Sequence, residues 1–260
     1  MRLARPAGLW ELIAAGGFPE LVLGPPSPRF RAAWCRAYLA TVLAPTNIEQ
    51  VAEVRRADVA PLLLAQLAAR SAGEIVVNDL ARELGADQGT IRANLETLET
   101  LYLARSLPAW TTSRTNRAKR RSVTHLVDTA LACQIVGETG DSLADPASRY
   151  FGPLIESYVV AEIAKQLTWC EEPTSMFHYR DRDQREVDII LERHNRVVAI
   201  EVKATSTPVT QHARHIGYLA ERLGDRFALG IVLHTGDQRV RLSDRIVALP
   251  ISALWSDRQT

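Results

Sequence analysis

The sequence predicts a multi-part α/β protein, and three observations carry that expectation. Apolar residues recur at helical spacing through the first half of the chain. Period-two apolar runs between turn residues dominate residues 175–234. Between these regions a short helix pattern, a Gly-containing turn and a longer helix pattern lead into two strand patterns around a basic loop.

The bulk properties narrow the class. A chain of 260 residues holds one large domain or two to three small ones. Its 47% apolar and 23% charged residues are ordinary for a globular protein that folds in water. A net charge of +1 excludes a globally basic or acidic protein, so any nucleic-acid signal has to be local. Cys35, Cys133 and Cys170 are far apart and lack metal-ligand spacing, which reads as reduced thiols in the cytoplasm. The longest apolar stretch, "VAPLLLAQLAA", is about half a bilayer span, so no membrane association is expected. No G-x-x-x-x-G-K-[ST] phosphate loop occurs, and the chain is not expected to hydrolyse ATP on its own.

Residues 1–55 read as a helical segment. In "SPRFRAAWCRAYLATVLAP", Phe30, Trp34 and Tyr38 recur every fourth residue, a stripe that buries one helix face. Ser27 suits its N-cap, Pro28 its first turn and Pro45 its end. "GGFPE" at 16–20 signals a turn, and "GPPSP" a linker.

Residues 56–128 read as a winged helix. "PLLLAQLAARSAG" is a helix opened by Pro61 and ended by Gly73, and "EIVV" is a short extended run. "NDLARELG" follows as a short helix between an Asn78 N-cap and a Gly85 C-cap. Asp87 caps the longer helix "DQGTIRANLETLETL", in which Ile91, Leu95 and Leu98 share a face. "YLARSLPAW" and "SVTHLV" then flank "TTSRTNRAKR". Helix-turn-helix followed by a hairpin is the winged-helix order.

The wing carries the charge. No acidic residue lies between Glu99 and Asp128, whereas Arg105, Arg114, Arg117, Lys119, Arg120 and Arg121 all do. Phosphates reward such a cluster through counterion release, so nucleic acid, DNA above all, is the expected partner. Arg92 and Asn94 on the longer helix are the candidates for reaching bases. Glu96 and Glu99 follow them and repel a backbone, which favours shape-based over sequence-specific binding.

Residues 129–147 read as a connecting helix and linker, and 148–260 as an α/β domain. The order is a helix over "RYFGPLIESYVVAEIAKQL", the strands "SMFHYR", "EVDIILE" and "RVVAIEVKA", a helix over "TQHARHIGYLAERLG", and the strand "FALGIVLHT". Strand alternation sets Val198, Ile200 and Val202 on one side, and Ala199, Glu201 and Lys203 on the other. Asp188, Ile190 and Glu192 share a face of the preceding strand. A hairpin of the two strands brings Asp188 beside Glu201, and two carboxylates that close favour a divalent cation between them. Lys203, on the same face, is placed to orient or activate water.

D-(x)n-E-x-K on adjacent strands, after a helix that carries a Glu, resembles the PD-(D/E)XK nuclease superfamily. The resemblance implies a restriction-endonuclease-like domain using Mg²⁺ or Mn²⁺. It casts Asp188 and Glu201 as metal carboxylates, Lys203 as the catalytic lysine and Glu156 as the acidic residue of the first helix. Val187 stands where that superfamily usually has Pro. Gln211 and His215 fall where relatives sometimes place an accessory polar residue. Across residues 16–205, "GGFPE", "NDLARELGADQGTIRANLETLE", "HLVDTALA", "FGPLIESYVVAEI", "HYR", "EVDIILE" and "IEVKA" resemble the C-terminal region of prokaryotic AAA-type ATP-binding proteins, whose C-terminal domain has no assigned function. That resemblance implies an ATPase or other protein partner. It leaves a non-catalytic nucleic-acid- or protein-binding module as the alternative to a DNA-binding phosphodiester hydrolase.

Overall fold

The computed structural model describes residues 8–25, 27–51, 56–112, 121–145 and 147–255. It is a mixed α/β protein, with helices over the N-terminal part and a six-stranded mixed sheet after them. The chain divides into two compact units, Met1–Ser106 with Val123–Tyr158, and Leu107–Ser122 with Val159–Thr260.

The first unit opens with α1 (Leu9–Ala15), α2 (Pro19–Leu23), α3 (Pro28–Val42) and α4 (Pro45–Val51). Ser27 caps α3 by accepting the Phe30 N–H, as expected. Trp34 and Tyr38 stack at 5.1 Å, and Phe18 closes on both at 4.9 Å. α3 has already ended at Val42, and Pro45 opens the next helix.

Next come α5 (Val59–Ala69), β1 (Gly73–Glu74), α6 (Val77–Glu83), α7 (Gln88–Thr100), β2 (Ala104–Leu107) and β3 (Val123–Leu126), with the strands ordered β1-β3-β2. Asp87 caps α7 through the Thr90 N–H at 3.0 Å. Gly85 takes the left-handed conformation, φ +59°, that closes α6. Two local expectations fail. Asn78 lies inside α6, whose N-cap is Val76 without a side-chain bond. Gly73 starts β1, four residues after α5 has ended.

Asp128 ties this unit together. It caps α8 (Thr129–Val136) by accepting the Ala130 N–H at 2.8 Å, and its other oxygen accepts the Gly17 N–H at 2.7 Å. The neighbouring Gly16 has φ +67°, and a Cβ there would sit 2.1 Å from Asp128 Oδ1. The glycine pair of "GGFPE" therefore exists to let backbone meet the Asp of "HLVDTALA". α9 (Gly140–Leu143) follows.

The division between the units falls within α10 (Phe151–Leu167). The second unit continues with β4 (Ser175–Arg180), β5 (Glu186–Arg193), β6 (Arg196–Lys203), α11 (Arg214–Leu223), β7 (Phe227–His234), β8 (Val240–Ser243) and β9 (Ile246–Pro250). The sheet order is β4-β5-β6-β7-β9-β8, antiparallel through β6, then parallel from β6 to β7 to β9. His194 and Asn195 both have positive φ, the two-residue turn that suits a right-twisted hairpin. β6 and β7 are parallel, so α11 must cross over between them. It lies so close to the sheet that a Cβ on Gly230 would meet Ile216 at 2.4 Å. Val187, Ile190, Val197 and Ala199 pack with Ile216, Leu219 and Leu223 in the core of this unit.

Residues 107–112, 121 and 122 group with this second unit. Pro108–Trp110 runs beside β4 through a parallel bridge of Ala109 with His178, and Trp110 is 1% exposed.

Candidate active site on the strand pair

The hairpin register pairs Ile189 with Ile200 and Ile190 with Ala199. One step beyond, Asp188 turns its carboxylate onto the facing strand, where Oδ2 accepts the Val202 N–H at 2.7 Å. This bond fixes its rotamer beside Glu201. Lys203 Nζ donates to Glu201 Oε1 at 2.6 Å. Asp188, Glu201 and Lys203 thus gather at one end of the strand pair, as strand alternation requires.

The electrostatics are unfavourable for two anions. Burial pushes the Asp188 carboxyl well above the ordinary carboxylate range, and the Glu201 charge adds to the shift. The Val202 N–H and Lys203 oppose it. Burial also raises Glu201, while Lys203 pulls it back. The Glu201 side chain is 8% exposed, and its Oε2 is buried without a hydrogen-bond partner among the described residues. A buried carboxylate oxygen with no donor, next to a second carboxylate, fits a divalent cation. Among the described residues no group of three His, Cys, Asp or Glu side chains could hold a metal. Asp188 and Glu201 would be the protein's acidic ligands, with water or substrate oxygens completing the shell, as Mg²⁺ prefers.

The remaining candidates separate. Glu156 is half-buried on α10, in the stretch that groups with the first unit. Gln211 is exposed. His215 has a structural role: Arg214 Nε donates to its Nε2 at 3.0 Å, and its Nδ1 meets both the N–H of Glu186 at 3.2 Å and the Glu186 carbonyl at 2.9 Å. It secures the start of β5, two residues before Asp188.

Arg92 is exposed on α7 and bonds Gln88 at 3.2 Å. Asn94 is 0% exposed, with its amide donating to Thr90 O at 2.9 Å. It packs on the face of Ile91 and Leu98 and presents no edge to a base, which corrects the expectation from sequence. Arg121 is exposed and its carbonyl is bonded by His178 Nε2 at 3.1 Å. Arg114, Arg117, Lys119 and Arg120 lie outside the described residues. Sequence reasoning missed Trp110 and His178, which tie the Pro108–Trp110 segment and the Arg121 carbonyl to β4. Its signal was faint: an apolar "PAW" directly before a polar run.

A family model described as a domain of unknown function, DUF8612, matches residues 7–142, more than half of the chain. The chain belongs to the DUF8612 family. A second model, also described as a domain of unknown function, DUF4143, matches residues 151–254 of this DUF8612 protein. Uncharacterized proteins of Mycobacterium tuberculosis and Mycobacterium bovis are each 28% identical to it over 172 residues. The match covers 66% of this chain and 37% of each relative, so the chain spans well under half the length of those relatives. Among the described residues, no helix is long and apolar enough to cross a membrane.

Proposed function

We propose that this protein binds DNA and hydrolyses phosphodiester bonds with Mg²⁺ or Mn²⁺ at Asp188 and Glu201. The observation that carries the reading is the buried carboxylate pair, with a Glu201 oxygen that has no hydrogen-bond partner among the described residues and a lysine 2.6 Å from the other oxygen. The element order α10-β4-β5-β6-α11-β7, with three antiparallel strands and then a parallel one, supports the PD-(D/E)XK likeness. The order α5-β1-α6-α7-β2-β3 and the strand order β1-β3-β2 support a winged helix in the first unit. Arg92 and Arg121, with Arg114, Arg117, Lys119 and Arg120 from the sequence, supply cations for the phosphate backbone. Reduced Cys35, Cys133 and Cys170 agree with a cytoplasmic protein.

A divalent ion held by Asp188 and Glu201 would acidify water and offset charge developing on the phosphate. The chain's own residues do the positioning. The Val202 N–H holds Asp188 in one rotamer. Glu201 accepts from Lys203 and aims it along the sheet face, where it orients the attacking water and donates to the developing oxyanion. Glu156 is assigned a supporting role by the superfamily likeness alone.

The test pairs Mg²⁺ and Mn²⁺ titration calorimetry with digestion of single-stranded, duplex and branched DNA. Asp188→Asn and Glu201→Gln should lose ion binding and cleavage together, whereas Lys203→Met should keep ion binding and lose cleavage. A wild type that binds no divalent ion at about millimolar concentration, the weak end of protein cation sites, and cuts none of the substrates would eliminate the enzyme. The second reading then holds: a non-catalytic nucleic-acid- or protein-binding module that serves an AAA-type ATPase. The observation favouring that module is the much greater length of the mycobacterial relatives.

A further inference from the structure

The sheet face that carries the carboxylate pair is also the face that α11 covers. Ile190 pairs with Ala199, and both pack with Ala213, Ile216 and Leu219 in the core of this unit. Asp188 and Glu201 lie two residues from them on the same side of their strands, and Lys203 two further on. The first turn of α11 is fixed beside that site, because the His215 ring meets the Glu186 backbone two residues before Asp188. The short 3-10 turn that precedes it, Thr210–Ala213, touches β6 and β7 and therefore comes down at the end of the strand pair.

Three histidines lie near that end, and two of them have both ring nitrogens engaged. His215 is held by Arg214 and by the Glu186 backbone. His234, opposite Lys203 in the β6–β7 register, is 0% exposed. Its Nε2 donates to the Gln238 carbonyl at 2.9 Å, and its Nδ1 accepts the Gly236 N–H at 3.1 Å. His212 differs. Its Nδ1 accepts the Val209 N–H at 3.2 Å, and a backbone N–H can only donate, so the proton of the neutral ring sits on Nε2. That Nε2 has no hydrogen-bond partner among the described residues, and the ring is half-buried. Burial and the positive charge of nearby Lys203 hold the ring below the ordinary histidine pKa, so at neutral pH it is an uncharged donor. A protonated Nε2 cannot ligate a cation, which separates His212 from the metal carboxylates.

We propose that His212 contacts the scissile phosphate, donating its Nε2–H to a non-bridging oxygen beside Lys203. The inference rests on the phosphodiester-hydrolysing reading above and adds a contact with the substrate itself. An uncharged donor suits this place. It stabilises the phosphate as charge develops there, and it adds no cation to repel the divalent ion that Asp188 and Glu201 would hold. No proton changes hands: the ring stays neutral and its N–H orients the oxygen it bonds.

Two variants separate the outer donor from the inner acceptor. His212→Asn can still accept the Val209 N–H through its amide oxygen but does not reach as far as Nε2. His212→Gln sets an amide N–H where the Nε2–H was. Single-turnover cleavage of duplex and branched DNA is measured beside Mg²⁺ titration calorimetry. His212→Asn should cleave about tenfold more slowly at saturating Mg²⁺, the scale of one hydrogen bond to a charged group, with Mg²⁺ affinity unchanged. His212→Gln should recover most of the rate, a rescue that a packing defect does not produce. If His212→Asn does not fold, nitrogen NMR of the wild-type ring decides: a phosphorothioate duplex that resists hydrolysis should shift the Nε2 resonance more than that of Nδ1. A folded His212→Asn that cleaves at the wild-type rate overturns this inference and leaves hydrolysis standing. So do equal losses in both variants, a loss of Mg²⁺ affinity in His212→Asn, or an unmoved Nε2 resonance in a wild type that binds the duplex. A wild type that cleaves neither substrate overturns both readings.

Discussion

Replacing Asp188 with Asn should make the ion-free protein more stable while removing its response to divalent ions. The asparagine has nearly the same shape, and its carbonyl oxygen can still accept the Val202 N–H that Oδ2 accepts at 2.7 Å. What changes is charge. Side chains opposed across paired strands have Cβ atoms about 5 Å apart. Two full charges at that separation, with an effective dielectric near 20, repel by about 3 kcal/mol. Lys203 on Glu201 and the raised Asp188 titration remove part of this, leaving a gain of about 1–2 kcal/mol. In a protein of this size that corresponds to about 3–6 °C in midpoint. The assay is thermal unfolding in EDTA and in a Mg²⁺ series. Wild type should start lower and climb, because an ion at ten times its dissociation constant adds about 1.4 kcal/mol, while the variant stays flat. The reasoning fails if the variant is less stable in EDTA, or if Mg²⁺ raises both proteins alike.

Two further outcomes follow from other parts of the fold. Asp128→Ala removes the N-cap of α8 and strands the Gly17 N–H, so it should cost about 2–4 kcal/mol in urea unfolding of the first unit; a loss below about 1 kcal/mol would show that water replaces the carboxylate. Asp181 gives an acid-sensitive turn. Burial raises its carboxyl, but the Arg185 N–H, the Arg185 guanidinium and the Tyr179 hydroxyl outweigh burial and hold it below its ordinary value. With the folded pKa depressed, its contribution is present above the unfolded value near 3.9 and disappears as pH falls through the folded one. Asp181→Asn should therefore lower stability at pH 7 and match wild type near pH 2; an equal loss at both pH values would make the effect one of packing.

The strand pair was legible because its geometry is local. Alternation fixes which residues share a face, and the two-residue turn at His194 and Asn195 fixes the register, so Asp188, Glu201 and Lys203 could be brought together from a stretch of twenty residues. Asn94 was misread although its burial is also local. It lies three residues after Ile91 and four before Leu98, on the buried stripe of α7, and helical phase should have outweighed its polarity. The Asp128 contact with Gly17 spans 111 residues, and the grip of His178 on Arg121 spans 57. Neither leaves a periodic trace. β8 and β9 went unread because they are short and β8 has one exposed face, which weakens alternation as a signal.

The same contrast bears on function. Residues that local geometry assembles, the carboxylates and the lysine, carry the proposed chemistry. Trp110 and Arg121, which flank the basic stretch read from sequence as a wing, are both bonded by His178 within the second unit. The helix-turn-helix keeps Arg92 exposed but lacks the base contact that Asn94 would have made. Without that base contact the proposed binding would read the shape of the nucleic acid, so branched or distorted duplexes are the substrates on which cleavage should first be sought.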